Sequence, residues 1–203
     1  MTLDELAAAL GEPPAPDGTW EREFGYVSAA ALRRRMPPGD LAARVRAIAG
    51  VAAVEVRRNG FLRIVVDDPF ELVEAAPVPH EPSWPDFPRT WDNPGFVVRY
   101  ARVRACAVSR WAADLGVPRG TAGVPGDPAH RRVLRVLAEL PGRRRSRDPG
   151  WEAYLLRLAL AYHDAHERAP AVPVGDEEAG PEHAARVRVA DVVRIVLPGP
   201  DRL

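Results

Sequence analysis

The sequence predicts two domains of different class, a small α+β domain over residues 1–68 and an all-α helical bundle over residues 84–203. In the first part, two β-rich runs flank an Asn-Gly dipeptide, a combination typical of a β-hairpin. In the second part, three Asn-Pro or Asp-Pro dipeptides each precede a segment of helical hydrophobic period. A chain of 203 residues, 46% of them hydrophobic, is long enough to build two small cores.

The N-terminal domain is expected to combine two helices with the hairpin. Asp40 is placed to cap the second helix, where Leu41 and Val45 recur at helical spacing. Asn59-Gly60 supplies the turn of the hairpin, because both residue types tolerate positive φ. The expected elements are a helix over residues 3–10, a loop over 12–19, a helix over 41–49 and strands over 51–56 and 61–66.

Prolines separate the two domains. Residues 69–83 contain Pro69, Pro77, Pro79 and Pro82, and each proline restricts its own φ and the residue before it. We therefore expect a semi-rigid linker over residues 69–83.

Three helices of the C-terminal domain have clear starting signals. Asn93-Pro94, Asp127-Pro128 and Asp148-Pro149 each place a capping side chain before a proline at the first helical position. A fourth segment carries small and β-branched apolar residues on one helical face. The expected helices span about 95–115, 129–140, 150–168 and 182–197.

Positive charge is concentrated in the middle of the chain, although the total formal charge is zero. Residues 84–148 hold 13 arginines against six acidic residues, a net charge of +7, and both flanking parts are net negative. This distribution favours a local anionic partner, with phosphate as the first candidate. All 28 basic residues are arginine, which excludes a Walker A loop, a Schiff-base enzyme and a KMSKS adenylation loop.

The first helix of the C-terminal domain carries a basic face. Its buried stripe comprises Val97, Ala101, Ala105, Val108, Ala112 and Leu115. Arg99, Arg102 and Arg110 lie opposite this stripe, with Tyr100 and Arg104 on the flank. Arginines beside an exposed aromatic ring suit single-stranded RNA, because the ring stacks on an unpaired base. The alternative is a solvated helix face with a half-buried tyrosine.

Residues 92–106, DNPGFVVRYARVRAC, resemble the motif D-N-P-x-x-Y-V-Q-Y-A-H-A-R-I, which opens the DALR anticodon-binding domain of arginyl-tRNA synthetases. Segments 127–141, 154–172 and 188–197 resemble later helices of that domain in the same order. The resemblance implies a DALR-like bundle in which Tyr100 contacts the anticodon loop, and it implies that the arginines around Tyr100 hold phosphates. The implied anticodon-binding residues are Tyr100, Arg99, Arg102, Arg104 and Arg110.

The N-terminal domain resembles the additional N-terminal domain of the same synthetases. Residues 39–56 followed by NGFLRI at 59–64 are similar to a helix leading to V-x-x-V-E-V-x-x-P-G-F-I-N. In that family, the hairpin meets the tRNA elbow. The positions that match its contacts are Arg58, Phe61 and Arg63. Arg63 replaces a usual Asn or Gln, so we expect phosphate attraction there rather than base recognition.

The catalytic part of a synthetase has no counterpart in this sequence. A family member carries a Rossmann domain between the two resembled parts, whereas this chain has about 15 linker residues there. The sequence contains no H-x-G-H motif and no lysine. We therefore expect no aminoacylation, no catalytic residue and no cofactor.

These observations predict a non-catalytic tRNA-binding protein whose partner is tRNA(Arg) or a related tRNA. The alternative is a protein-interaction or regulatory module that kept the fold without RNA binding, with an accessory role in a tRNA-dependent biosynthetic pathway also open. A single cysteine and the lack of a long apolar run predict a cytoplasmic protein that does not enter a membrane.

Several other residues have structural explanations. His163 and His166 have a metal-ligand spacing, but a third ligand is not evident, so no metal site is predicted. Cys106 lacks a neighbouring base for thiol catalysis. Trp84 and Trp91 are expected to dock the linker onto the bundle rather than to stack on bases.

Overall fold

The computed structural model describes residues 2–73, 75–118 and 123–201. The chain forms two compact units. We call the first, Met1–Glu74 with Leu137–Pro149, the sheet unit, and the second, Ala75–Val136 with Gly150–Leu203, the helical unit. Residues 137–149 thus group with the N-terminal part of the chain, although they lie between two helices of the helical unit in sequence.

The described residues combine helices with one small sheet, which is an α+β composition. The helices are α1 (Leu3–Leu10), α2 (Ala30–Arg33), α3 (Pro38–Arg46), α4 (Pro94–Asp114), α5 (Pro128–Leu137), α6 (Leu140–Arg144), α7 (Trp151–Arg168) and α8 (Pro181–Val196). The strands are β1 (Ala15–Asp17), β2 (Phe24–Ser28), β3 (Val51–Val56) and β4 (Leu62–Val66), and a short 3-10 helix spans Pro69–Leu72.

The sheet is antiparallel, with strand order β1-β2-β4-β3. The predicted hairpin of β3 and β4 is present, with Val56 opposite Leu62. Its turn needs Gly60, whose φ is +78°, a conformation that glycine adopts without steric cost. The N–H of Phe61 donates to Asn59 Oδ1 at 3.1 Å, which also holds the turn. The local signal in the sequence was sufficient here.

The core of the sheet unit lies between one face of the sheet and helices α1 and α3. Among the described residues, the largest buried side chains of the sheet unit are Trp20, Tyr26, Leu6, Leu10, Leu41, Leu62, Ile64, Leu72 and Leu137. Helix α1 is held by a capping box, in which Glu5 N–H donates to Thr2 Oγ1 at 3.1 Å and Thr2 N–H donates to the Glu5 carboxylate at 2.7 Å.

The helical unit packs α4 against α7 and α8. The predicted stripe of α4 is buried from Val97 to Ala112, but Leu115 is 53% exposed. Leu115 lies beyond the last turn of α4, where the helical period no longer directs a side chain inward. The expected cap at Asn93 is confirmed by the bond from Gly95 N–H to Asn93 Oδ1, at 3.0 Å.

Three further local predictions were wrong. Helix α3 begins at Pro38, so Asp40 lies inside its first turn rather than capping it. Helix α7 begins at Trp151 after Gly150, and Asp148 instead forms a turn with Ser146. Residues 15–17, expected in a loop, form edge strand β1, because their backbone pairs with β2. That pairing depends on tertiary context, which a short proline-containing segment does not reveal.

None of the helices in the described ranges is long and apolar enough to cross a membrane.

Candidate nucleic-acid interface

Three aromatic side chains form a continuous surface at the start of α4. The rings of Phe96 and Tyr100, one helical turn apart, stack with their centroids 5.3 Å apart and their planes 16° apart. Trp91 approaches both edge-on, with centroids 6.1 Å from Phe96 and 6.0 Å from Tyr100. We call Trp91, Phe96 and Tyr100 the aromatic platform. Its outermost member, Trp91, is 54% exposed, so the platform is open to solvent.

Arg104 also packs on the Tyr100 ring. Its guanidinium carbon is 4.5 Å from the Tyr100 ring centroid, which is cation–π geometry. The same guanidinium donates to Glu167 Oε1 at 3.1 Å and to His163 Nδ1 at 3.2 Å. Arg104 therefore helps to hold the Tyr100 ring in place, and its own charge is already partly balanced by Glu167.

His163 supports the platform from α7 as a neutral side chain. Its ring centroid is 4.9 Å from that of Trp91 and 5.5 Å from that of Tyr100. Arg104 can only donate and the Val97 carbonyl can only accept, so Nδ1 accepts and Nε2 donates to Val97 O at 2.9 Å. Burial, reinforced by the nearby charge of Arg104, lowers the pKa of His163 to about 4 from an ordinary value of 6.5.

Arg102 is engaged with the C-terminal end of α8. Its guanidinium donates to the carbonyl oxygens of Arg194 and Leu197, the latter at 2.9 Å, and to Asp201 Oδ1 at 2.8 Å. A cation at this end of a helix also interacts favourably with the helix dipole. Hydrogen bonds from Arg102 and Cys106 lower the pKa of Asp201. Arg102 thus joins α4 to α8 within the helical unit.

Arg99 holds the segment that precedes α4. It pairs with Asp86 at 2.7 Å and donates to the carbonyl oxygens of Trp84 at 3.2 Å and Pro85 at 3.3 Å. The backbone of Trp84 therefore lies near the start of α4. Only about a quarter of the Arg99 side chain, 24%, is exposed.

Arg110 differs from the other predicted arginines. It is exposed, and its side chain forms no hydrogen bond or ion pair with any residue in the described ranges. It lies ten residues from Tyr100, about 15 Å along the axis of α4. The structure therefore places Tyr100 and Arg104 together, commits Arg99 and Arg102 to intramolecular partners, and leaves Arg110 apart.

The predicted elbow residues lie at the turn end of the β3–β4 hairpin in the sheet unit. Arg58 is exposed, and Phe61 is partly exposed beside a cavity. Arg63 pairs with the carboxylate of Glu23 and lies 4.0 Å from Asp17 Oδ2, so its charge is balanced locally. Arg58 and Phe61 are consequently the better placed of the three to meet an external ligand.

Two members of the platform, Phe96 and Trp91, were not among the predicted site residues, and Trp91 was instead expected to dock the linker. Phe96 precedes Tyr100 by four residues, a spacing at which helical side chains meet, so its stacking on Tyr100 was accessible from the sequence. Trp91 lies outside α4 and reaches the platform only because the chain folds back before Asn93. No group of three His, Cys, Asp or Glu side chains able to hold a metal ion occurs within the part of the chain that the structure describes.

Comparison with known proteins identifies similarity to aminoacyl-tRNA synthetases. An arginine–tRNA ligase of Clavibacter sepedonicus is 39% identical over 117 residues, and one of Frankia alni is 39% identical over 120 residues. Each alignment covers 54% of this chain and 21% of the ligase, so the chain spans about a fifth of the length of these curated relatives. No protein-family model and no solved structure matches the chain.

The chain is therefore similar to one part of an aminoacyl-tRNA synthetase. Within the shared half, it is arginyl-tRNA synthetase-like.

Proposed function

We propose that this protein is a non-catalytic tRNA-binding protein, with tRNA(Arg) or a related tRNA as its partner. The observation that carries the proposal is the aromatic platform, which combines a stacked ring pair with a half-exposed tryptophan. The similarity to arginine–tRNA ligases supports tRNA as the ligand class.

The platform suits unpaired bases rather than a helical stem. Side chains recognise RNA mainly where bases are unstacked, since loops expose aromatic faces and Watson–Crick edges together. Trp91 offers an accessible indole, while Phe96 and Tyr100 extend the apolar surface beside it. Packing from His163 and Arg104 holds the rings in place before a base arrives, which reduces the entropy lost on binding.

In this proposal, the positive charge for phosphate binding comes from only part of the predicted set of four arginines on α4, together with one arginine of the hairpin. Arg110 on α4 and Arg58 on the hairpin are exposed and have no carboxylate partner in the described ranges. Arg99, Arg102 and Arg104 would bind RNA only if phosphates displaced their present acceptors. We propose that these three chiefly position the α4 surface and that Arg110 and Arg58 attract the backbone.

The proposed lack of catalysis rests on the sequence. The chain has no H-x-G-H motif and no lysine for the adenylation loop. The alignments also span only 21% of each ligase.

Filter binding tests the proposal. Purified protein is titrated against tRNA(Arg), an unrelated tRNA and a DNA duplex of similar length, over a series of salt concentrations. We expect tRNA binding that weakens with salt, as phosphate contacts require, and that exceeds binding to the duplex. If no tRNA is retained even at low salt, the proposal is wrong.

A protein-interaction or regulatory module is the second candidate. The observation that favours it is the intramolecular pairing of Arg99, Arg102 and Arg104, which reduces the charge available to RNA. An aromatic patch of this kind also suits protein interfaces, where tryptophan and tyrosine are enriched. A partner protein that stays bound after ribonuclease treatment, together with failure to retain tRNA, would support this candidate over the first. An accessory role in a tRNA-dependent pathway is compatible with either.

A further inference from the structure

Two arginines on one face of α4 share the same pattern of contacts. Arg99 and Arg102 are three residues apart, a spacing at which helical side chains lie on the same side. Arg99 pairs with Asp86 at 2.7 Å, and Arg102 pairs with Asp201 at 2.8 Å. We call Asp86 and Asp201 the paired carboxylates. Both come from segments outside α4, one before this helix and one after α8, so two separate parts of the chain neutralise the same helix face.

The two arginines are also held by groups other than these carboxylates. Arg99 donates to two backbone carbonyl oxygens in the segment before α4. Arg102 donates to two backbone carbonyl oxygens at the end of α8. Loss of a paired carboxylate would therefore leave each guanidinium in place with a charged donor free for another acceptor.

The carboxylates lie on the solvent side of the two ion pairs. The side chains of Asp86 and Asp201 are 68% and 70% exposed, whereas those of Arg99 and Arg102 are 24% and 22% exposed. An ion pair with so exposed a carboxylate contributes little to stability, because water solvates the released group well. A phosphate oxygen accepts from a guanidinium as a carboxylate oxygen does. Phosphate can therefore replace either carboxylate without moving the arginine.

The residues after α8 lie along this face of α4. Gly199 packs on Arg99, since a Cβ at residue 199 would lie 3.2 Å from Arg99 Cγ and 3.5 Å from its Cα. Asp201 accepts from the Cys106 thiol at 3.4 Å as well as from Arg102. A strand of RNA that contacts both arginines must consequently displace part of the segment 198–201.

We propose that the paired carboxylates form an autoinhibitory contact, in which they compete with RNA phosphates for Arg99 and Arg102 and keep the affinity for RNA low. This inference rests on the proposed function, since RNA supplies the competing phosphates. Phosphate contacts provide the sequence-independent part of the affinity for nucleic acids. The carboxylates therefore reduce that part and leave the contribution of the aromatic platform unchanged.

Neutral variants of the two carboxylates test the competition. Asp86→Asn and Asp201→Asn nearly keep the shape of the side chain and remove one negative charge each. We expect each variant to bind tRNA about twofold to fivefold more tightly than the parent, as loss of a competing exposed ion pair predicts. The salt slope should steepen by about 0.7 to 0.9, the effect of one added phosphate contact. Filter binding over a salt series measures both quantities.

Asp92 supplies the matched control. It is exposed and follows Trp91 of the platform, and it forms no ion pair with any residue that the structure describes. Asp92→Asn removes the same charge without releasing an arginine, so its affinity should stay within about twofold of the parent and its salt slope should not change.

Two results with these variants would overturn the inference. The first is an equal steepening of the salt slope in Asp92→Asn, Asp86→Asn and Asp201→Asn, which would show a general decrease in repulsion. The second is unchanged tRNA affinity in Asp86→Asn and Asp201→Asn proteins that have the parent's circular dichroism spectrum. In both cases, tRNA binding by the parent would leave the proposed function standing.

A double variant shows whether the gain in affinity passes through the ion pair. In an Arg99→Gln background, Asp86→Asn should change neither the affinity nor the salt slope, because no charged donor is released at residue 99. A gain of the same size in both backgrounds would contradict competition for Arg99.

Inorganic polyphosphate separates this inference from the proposed function. If the parent retains no tRNA, the proposed function fails, and polyphosphate binding then measures access to the two arginines without RNA. Tighter binding of polyphosphate by Asp86→Asn and Asp201→Asn than by the parent and Asp92→Asn would still support competition for these arginines. Equal binding by all four proteins would overturn it.

Discussion

Arg102 on α4 donates a hydrogen bond of 2.9 Å to the carbonyl oxygen of Leu197, the residue at the C-terminal cap of α8. The two residues are 95 apart in sequence. Through this bond, a side chain of α4 caps the C-terminal end of α8. Arg102, which was expected to hold phosphate, therefore also joins the two helices. A comparison of Arg102 with the exposed Arg110 on the same helix can therefore separate an effect on stability from an effect of lost surface charge.

We expect Arg102→Ala to lower the free energy of unfolding by about 1 to 3 kcal/mol, because it leaves helix-end carbonyls without their charged donor. Arg110→Ala is the matched control on the same helix, and it should stay within about 0.5 kcal/mol of the parent, since Arg110 is exposed. Urea denaturation followed by circular dichroism measures both. Equal stability of the two variants would contradict a structural role for Arg102.

The aromatic platform predicts a difference between two tryptophans of similar exposure. Trp91 is 54% exposed on the platform, and Trp111 is 48% exposed on α4 outside it. Trp91→Leu should weaken tRNA binding at least fivefold, because stacking on one base contributes about 1 to 3 kcal/mol. Trp111→Leu should leave it unchanged. Filter binding of both variants to the same tRNA measures the two affinities. A loss of affinity in Trp111→Leu alone would show that the RNA interface does not include the aromatic platform.

His163 predicts a loss of stability in mild acid. Its pKa is lowered to about 4 in the folded protein, while the unfolded chain keeps about 6.5, so the unfolded state takes up the proton first. The contribution of the neutral His163 ring to the free energy of unfolding is fully present above about pH 6.5. It falls by up to about 3 kcal/mol as the pH decreases to 4.

Chemical denaturation at several pH values checks this dependence. His163→Gln should show a shallower fall over the same range, because its side chain does not titrate. Burial lowers the pKa of His166 as well, so both histidines contribute to the loss of stability in acid. The difference between the parent and His163→Gln gives the contribution of His163. A parent protein equally stable at pH 6.5 and pH 4.5 would contradict the assignment of a neutral, buried imidazole.

Much of the local structure could be predicted because its causes lie close together in the chain. Asn93 and Pro94 begin α4, Asn59 and Gly60 turn the hairpin, and the apolar period of α4 marks its buried face as far as Ala112. Each of these features depends on steric or hydrogen-bonding preferences within a few residues. The similarity to arginyl-tRNA synthetases was also visible in the sequence motifs, and the comparisons confirm it.

The tertiary structure alone decided which residues of these elements are available to a ligand. Helical periodicity places Arg99 and Arg102 on an outward face, but their acceptors, Asp86 and Leu197, come from segments that approach α4 only after folding. Likewise, Trp91 reaches Tyr100 only because the segment before Asn93 folds back onto the start of α4, which no local pattern encodes. The sequence by itself determined the hairpin turn at Asn59-Gly60 and the start of α4 at Asn93-Pro94, because those features depend on neighbouring residues. Long-range packing decided which charges are neutralised and which rings stay exposed, because burial and pairing depend on distant partners.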